Sequence, residues 1–126
     1  MAALRENCDS LLSTTTVAFN ANGDTTLYTV PTGKRCVLTK ALVIAGADAG
    51  ATTTLSIGQD GAETDFVAAH TLSNLDAQYD AVILTPLPST TPLKNKSYAA
   101  ATVIEGRVAN QSGGATNTVK LFGILY

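Results

Sequence analysis

Leu27-Tyr28-Thr29-Val30-Pro31-Thr32-Gly33-Lys34-Arg35 is the stretch on which the fold turns. Leu27 to Val30 is an aromatic and β-branched run, which packs well on a pleated surface. Pro31 cannot donate a ladder hydrogen bond, and Gly33 lets the chain reverse before Cys36-Val37-Leu38 resumes an extended run. The stretch reads as a strand, a turn at the rim of a sheet, and a second strand.

Working back from it, Ser13 to Phe19 is rich in β-formers, and Asn20-Ala21-Asn22-Gly23-Asp24 carries an Asn-Gly turn signal, so a hairpin into Leu27 is expected. Residues 1–13 differ. Leu4, Cys8, Leu11 and Leu12 recur at helical spacing with Arg5, Glu6 and Asp9 on the other side, which fits a short amphipathic helix or an extended arm. A helix this short needs a surface to lie on. The chain thus divides into an N-terminal arm, 1–13, and a single β-sandwich domain, 14–126.

Working forward, Lys34 to Ala45 is the longest strand candidate. Cys36, Leu38, Leu42 and Ile44 share one parity, and Lys40 interrupts it, so the strand carries a bulge near Thr39-Lys40 or is buried on both faces toward its end. Gly46 to Gly50 is a turn. Ala51 to Gly58 alternates cleanly, with Thr53, Leu55 and Ile57 on the core side and Thr52, Thr54 and Ser56 on the other. Gln59 to Ala62 is a second turn. Phe66 to His70 fits either a helical turn capped by Asp65 or another strand, and Ser73 to Tyr79 reads as loop. Ala81 to Thr85 is a short strand that runs into Pro86 to Pro92, where three prolines in seven residues suit a crossing between sheets. Tyr98 to Val108 and Thr116 to Tyr126 close the chain as two strands with a hairpin loop at Asn110 to Gly114.

The final strand is apolar on both parities. Val119, Leu121 and Leu125 point one way and Phe122, Ile124 and Tyr126 the other, so the second set needs a cover, and a subunit interface would supply one. Composition points the same way. Charged residues make up 14% of the 126-residue chain, against about 25% in an ordinary domain, and threonine, serine and alanine take their place. A surface so poor in charge is expected to be partly covered by other subunits.

The same composition excludes several functions. A net charge of -2, with Lys34, Arg35 and Lys40 as the one local basic group ahead of Lys94 and Lys96, gives no grip on nucleic acid or an anionic membrane. No apolar run is long enough to span a bilayer, and the N-terminus lacks the apolar core of a secretory leader, so a cytoplasmic origin is expected. Cys8 and Cys36 have no metal-ligand spacing and read as free thiols, Cys36 being buried. His70, the one histidine, has no partner nucleophile in a recognisable pattern, and no Gly-x-Ser-x-Gly elbow or phosphate loop is present. The acidic run Asp60-Gly61-Ala62-Glu63-Thr64-Asp65 does not fit the EF-hand spacing; a solvated turn is the favoured reading, with calcium binding the open alternative. The expectation is a protein without catalytic residues, cofactor or metal.

Taken together, the Leu27 to Arg35 run entering a long apolar strand, the small-residue turns, the crossing at Pro92-Leu93 and the closing Leu121-Phe122-Gly123-Ile124-Leu125-Tyr126 resemble small structural proteins of tailed-bacteriophage virions. Within that group the chain is most similar to capsid decoration, or cement, proteins. The resemblance implies an all-β, jelly-roll-like antiparallel β-sandwich of about eight strands. It implies a homo-oligomer, dimer or trimer, bound to the major capsid protein on the head surface after assembly in the bacterial host cytoplasm. Candidate subunit or capsid contacts are Leu4, Leu11 and Leu12 of the arm, Phe122, Ile124 and Tyr126 of the last strand, and Lys34 and Arg35 as rim contacts to an acidic shell. The alternative is a tail-associated or host-attachment β-sandwich binding carbohydrate or protein; the absence of tryptophan weighs against a sugar platform.

Overall fold

Nine strands and no helix make up the computed structural model over its described residues, 7–86 and 94–126. They are β1 (Asp9–Ala18), β2 (Gly23–Thr29), β3 (Cys36–Ala45), β4 (Thr54–Gln59), β5 (Ala62–Thr71), β6 (Ala81–Leu84), β7 (Ser97–Tyr98), β8 (Val103–Ala109) and β9 (Thr116–Leu125). One sheet has the order β1-β9-β3-β6, with β7 beside β3, and the other the order β2-β8-β4-β5. Every pairing is antiparallel.

The pairings are nested. β4 pairs with β5, β3 with β6, β2 with β8 and β1 with β9, as in one long ribbon folded over on itself. Its tip is the expected Gln59–Ala62 turn, where Gly61 takes φ +85°, a left-handed conformation that costs a residue without Cβ least. The chain then passes from sheet to sheet at almost every connection, which gives the antiparallel β-sandwich expected from the sequence, with nine strands rather than about eight.

Two expected hairpins are not formed. β1 and β2 lie in opposite sheets, as do β8 and β9, so the segments 19–22 and 110–115 carry the chain from one layer to the other. The physical reason is burial. Val17 before the first segment, Phe19 at its start and Leu27 after it are all core residues; placed in opposite layers, the two strands close over a shared core. The second segment is tied to a neighbouring loop, with Ala115 N donating to Asp48 O and Thr52 Oγ1 to Asn110 O. The strand expected over Tyr98 to Val108 is likewise cut. Ala101 takes φ +69° and Thr102 N donates to Ala99 O, which leaves Ser97–Tyr98 on β3 while Val103–Ala109 joins β2 and β4.

Other open readings resolve. Phe66 to His70 is strand, within β5. Of the arm, Asp9 to Ser13 is extended and lies in β1, paired with β9 rather than coiled into a helix, while residues 1–6 lie outside the described residues. The proline crossing falls outside them from Leu87 to Leu93. The expected outer face of β4 is not open: Ser56 and Gly58 are as buried as Leu55 and Ile57. At Gly58 the Asp65 side chain lies against the strand.

The core fills the gap between the sheets, with Leu38, Val43, Val119, Leu121 and Leu125 from one and Leu27, Leu55, Ile57, Ile104 and Val108 from the other. Each such side chain contributes about 1.5–3 kcal/mol on burial, so the inner faces carry the stability.

Candidate functional site

The outward face of the first sheet is set by two bulges. In β3 the register with β9 shifts between Leu38 and Lys40, so the inward residues change from Cys36 and Leu38 to Ala41, Val43 and Ala45. A bulge inserts one residue and exchanges the two faces beyond it. Leu42 and Ile44, which share their parity with Leu38, are therefore turned out of the core. In β1 a second shift between Leu11 and Ser13 leaves Leu11 on the outer face and lets Leu12 pack against the core.

Rows of outward residues follow from the register. Leu11 stands opposite Phe122, which is opposite Lys40; Thr14 is opposite Lys120, then Leu42, then Ile83; Thr16 is opposite Thr118, then Ile44, then Ala81. Ile124 lies between Asp9 and Val37. The result is a largely apolar sheet face, on which Ile83 is 62% and Leu11 49% exposed. Its polar groups are few. Asp9 accepts a hydrogen bond from Thr39 Oγ1 at 2.8 Å and faces Lys40 Nζ at 3.8 Å. The Lys40 ammonium sits 4.9 Å from the Phe122 ring centroid. Lys120 Nζ donates to Thr14 Oγ1 at 3.3 Å and meets no carboxylate among the described residues.

This face gathers Leu11, Phe122 and Ile124 from the expected contacts. Tyr126 is at one end of it, 47% exposed, its hydroxyl 2.6 Å from Ser97 Oγ. Arg35 joins them there: Nε donates to Ser97 Oγ at 2.9 Å, a terminal NH2 to Ser97 O, and its backbone pairs with Tyr126 in both directions. Lys34 belongs to the rim turn, where its N–H donates to Pro31 O. Leu12 is partly buried, packed against the core and over Gly123. Leu4 lies outside the described residues. Leu42, Ile44 and Ile83 are additions the sequence reading missed; the break in parity at Lys40 was the signal that could have found the first two.

The outer side of the second sheet is polar. Asp24, Glu63 and Glu105 bring carboxylate oxygens within 4.8 Å of one another, and Arg107 lies among them. Its guanidinium holds Asp24 through two bonds of 2.7 and 2.9 Å and reaches Glu63 at 3.1 Å. The hydrogen bond from Arg107 lowers the Asp24 pKa, and burial together with the charges of Asp60, Asp24 and Glu63 raises that of Glu105. The carboxylates of the Asp60 to Asp65 run do not converge. Glu63 accepts from Gly61 N and Arg107, whereas Asp65 accepts from Gln59 N, from Lys96 Nζ at 2.9 Å and from Tyr98 OH at 2.7 Å.

Of the three reactive side chains considered from sequence, Cys8 is an exposed free thiol and the other two are engaged or enclosed. His70 Nδ1 meets the Ala68 carbonyl. Cys36 is fully buried, and burial pushes its thiol up to about 11, which keeps it protonated and unreactive at neutral pH.

No family model matches the chain, and no curated protein matches its sequence. Its three-dimensional arrangement does have a match, in a chain of the structure described as the cyanophage Pam1 capsid asymmetric unit. The fold is shared with a phage capsid chain. The likeness to the Pam1 chain covers 98% of this protein and 92% of that chain, with a TM-score of 0.55 and 18% identity. At that identity the shared property is the sandwich itself.

Proposed function

We propose that this protein is a non-enzymatic structural component of a phage virion, which binds the outside of the head beside the major capsid protein and stabilises the lattice as a symmetric oligomer. The observation that carries the reading is the near full-length likeness to the Pam1 capsid chain. The exposed apolar face of the first sheet supports it, since an apolar face on a chain with 14% charged residues calls for a partner. Physically, a cement protein acts by many modest contacts repeated by symmetry, which give avidity without a single tight site. Assembly takes place in the host cytoplasm and the final location is the head surface.

Cryo-EM of the particle, with immunogold against this chain, tests the reading. Density distributed over the head lattice is expected, with dimers or trimers of the isolated protein in light scattering. Density confined to the tail would overturn the proposal and favour a host-attachment module.

A further inference from the structure

Resting on the reading above, we infer that the outer face of the β1-β9-β3-β6 sheet is the surface laid against the protein shell. Its partner there is an apolar surface carrying a carboxylate opposite Lys120, not a second copy of this chain. The argument is one of charge matching. Lys120 stands between Thr14 and Leu42 in one row, with Ile83 beyond Leu42 and Phe122 next along the strand, so any partner that covers these apolar groups also takes its ammonium out of water. A desolvated ammonium needs a carboxylate. The carboxylate this face supplies, Asp9, is already engaged by Thr39 and Lys40.

A two-fold pairing of this face with itself would not meet that need. Among the described residues of the ladder rows each copy brings two lysines and one aspartate, Lys40, Lys120 and Asp9, so two copies bury four cations against two anions. Nor does the acidic side of the second sheet answer it, because Asp24 and Glu63 are held by Arg107 and Glu105 lies in the same cluster within the field of that guanidinium, on a face without a matching apolar surface. The missing anion therefore comes from a different protein. Oligomer contacts between copies fall elsewhere on the sandwich.

The test uses heads purified without this chain and the intact protein in cosedimentation. Wild type is expected to pellet with the heads, and Lys120→Glu and Ile83→Asp to lose about tenfold or more in affinity, while Lys120→Arg and the second-sheet variant Thr26→Lys bind as wild type. All variants should keep the oligomer size of wild type. Unchanged binding by Lys120→Glu and Ile83→Asp overturns the inference and leaves the proposed function standing. A fall from oligomer to monomer in those variants also overturns it, by assigning the face to contacts between copies. Failure of wild type itself to bind heads overturns the proposed function, and the inference with it. Should Ile83→Asp not fold by circular dichroism, the exchange at Lys120, a half-exposed position, decides alone.

Discussion

Leu42 and Ile83 stand directly opposite one another across the β3–β6 ladder, and both point away from the core. Leu38, four positions earlier on the same strand and of the same parity, is 1% exposed on the inner side. Two leucines on one strand thus differ in role because of a single inserted residue. Leu38→Ala is expected to cost about 2–5 kcal/mol, and Leu42→Ala about 1 kcal/mol or less. Urea unfolding of the two variants checks this, and equal costs would contradict the exchange of faces.

Removing the inserted residue itself is the sharper intervention. Deleting Thr39 takes out the one residue that the ladder with β9 skips, so the alternation becomes unbroken with Leu38, Ala41 and Val43 still inward and Lys40, Leu42 and Ile44 still outward. Only a strand that kept Thr39 and lost the bulge would slip by one residue and exchange the side chains beyond it. The expected outcome is that the cooperative unfolding transition and the near-ultraviolet dichroism are kept, with only the hydrogen bond from Thr39 to Asp9 lost; loss of the transition would contradict the placing of the inserted residue at Thr39.

At the folded ribbon's tip, two glycines make different demands. A Cβ at Gly58 would run into the Ala62 carbonyl oxygen and come within 2.8 Å of Asp65 N, both in backbone that cannot yield. Gly61 has open space and only its φ of +85° to protect. Gly58→Ala is expected to destabilise by about 2–3 kcal/mol through overpacking, and Gly61→Ala by about 1–2 kcal/mol through strain. Thermal denaturation of the pair measures the difference.

Asp65 ties three segments together through Gln59 N, Lys96 Nζ and Tyr98 OH. Asp65→Ala leaves the Tyr98 hydroxyl without its acceptor in a site where Tyr98 is 2% exposed, at a cost of about 1–3 kcal/mol. Tyr98→Phe removes the orphaned group, so the double variant should be less destabilised than the sum of the singles. A double-mutant cycle in urea reads the coupling, and strict additivity would contradict it.

Stability should fall on the alkaline side. Burial raises the Cys36 thiol from its ordinary value near 9 to about 11, and raises Tyr98 too, with the Asp65 hydrogen bond as a further cause. Both groups are neutral when protonated, so the folded state prefers the proton more than the unfolded state does. This stability is fully present below pH 9 and is lost as the unfolded thiol ionises between pH 9 and about 11. Cys36 accounts for about 2–3 kcal/mol of the loss. Urea midpoints should drop between about pH 9 and pH 11, and Cys36→Ala should flatten the slope.

What the sequence made legible was local. The Asp60-Gly61 turn carries its own chemistry, and the two apolar parities of Thr116 to Leu125 mark a strand with one face in the core and an apolar face outside it. The rim turn at Pro31 to Gly33 falls where its residues require. Partner choice was not legible, because the nested ladders join segments far apart: nothing around Ser13 to Phe19 says that it pairs with Thr116 to Leu125 rather than with the strand that follows the Asn-Gly turn. The different settings of Leu11 and Leu12 were not legible for the same kind of reason, since the shift between Leu11 and Ser13 reflects fit to β9 and not any local signal. Ile83 lies in a four-residue strand too short for its pattern to specify a face.

The nesting of the ladders has a consequence for synthesis. β1 and β3 both find their neighbour in β9, so the first sheet has no centre until residues 116–125 have left the ribosome. Until then the nascent chain holds the unpaired edges of β1 and β3, with Leu11, Leu42 and Val43 on them, exposed to other polypeptides in the same polysome. Translation rate and the chaperones present at the exit tunnel, more than the equilibrium stability of the finished sandwich, would set how much of this protein is recovered folded.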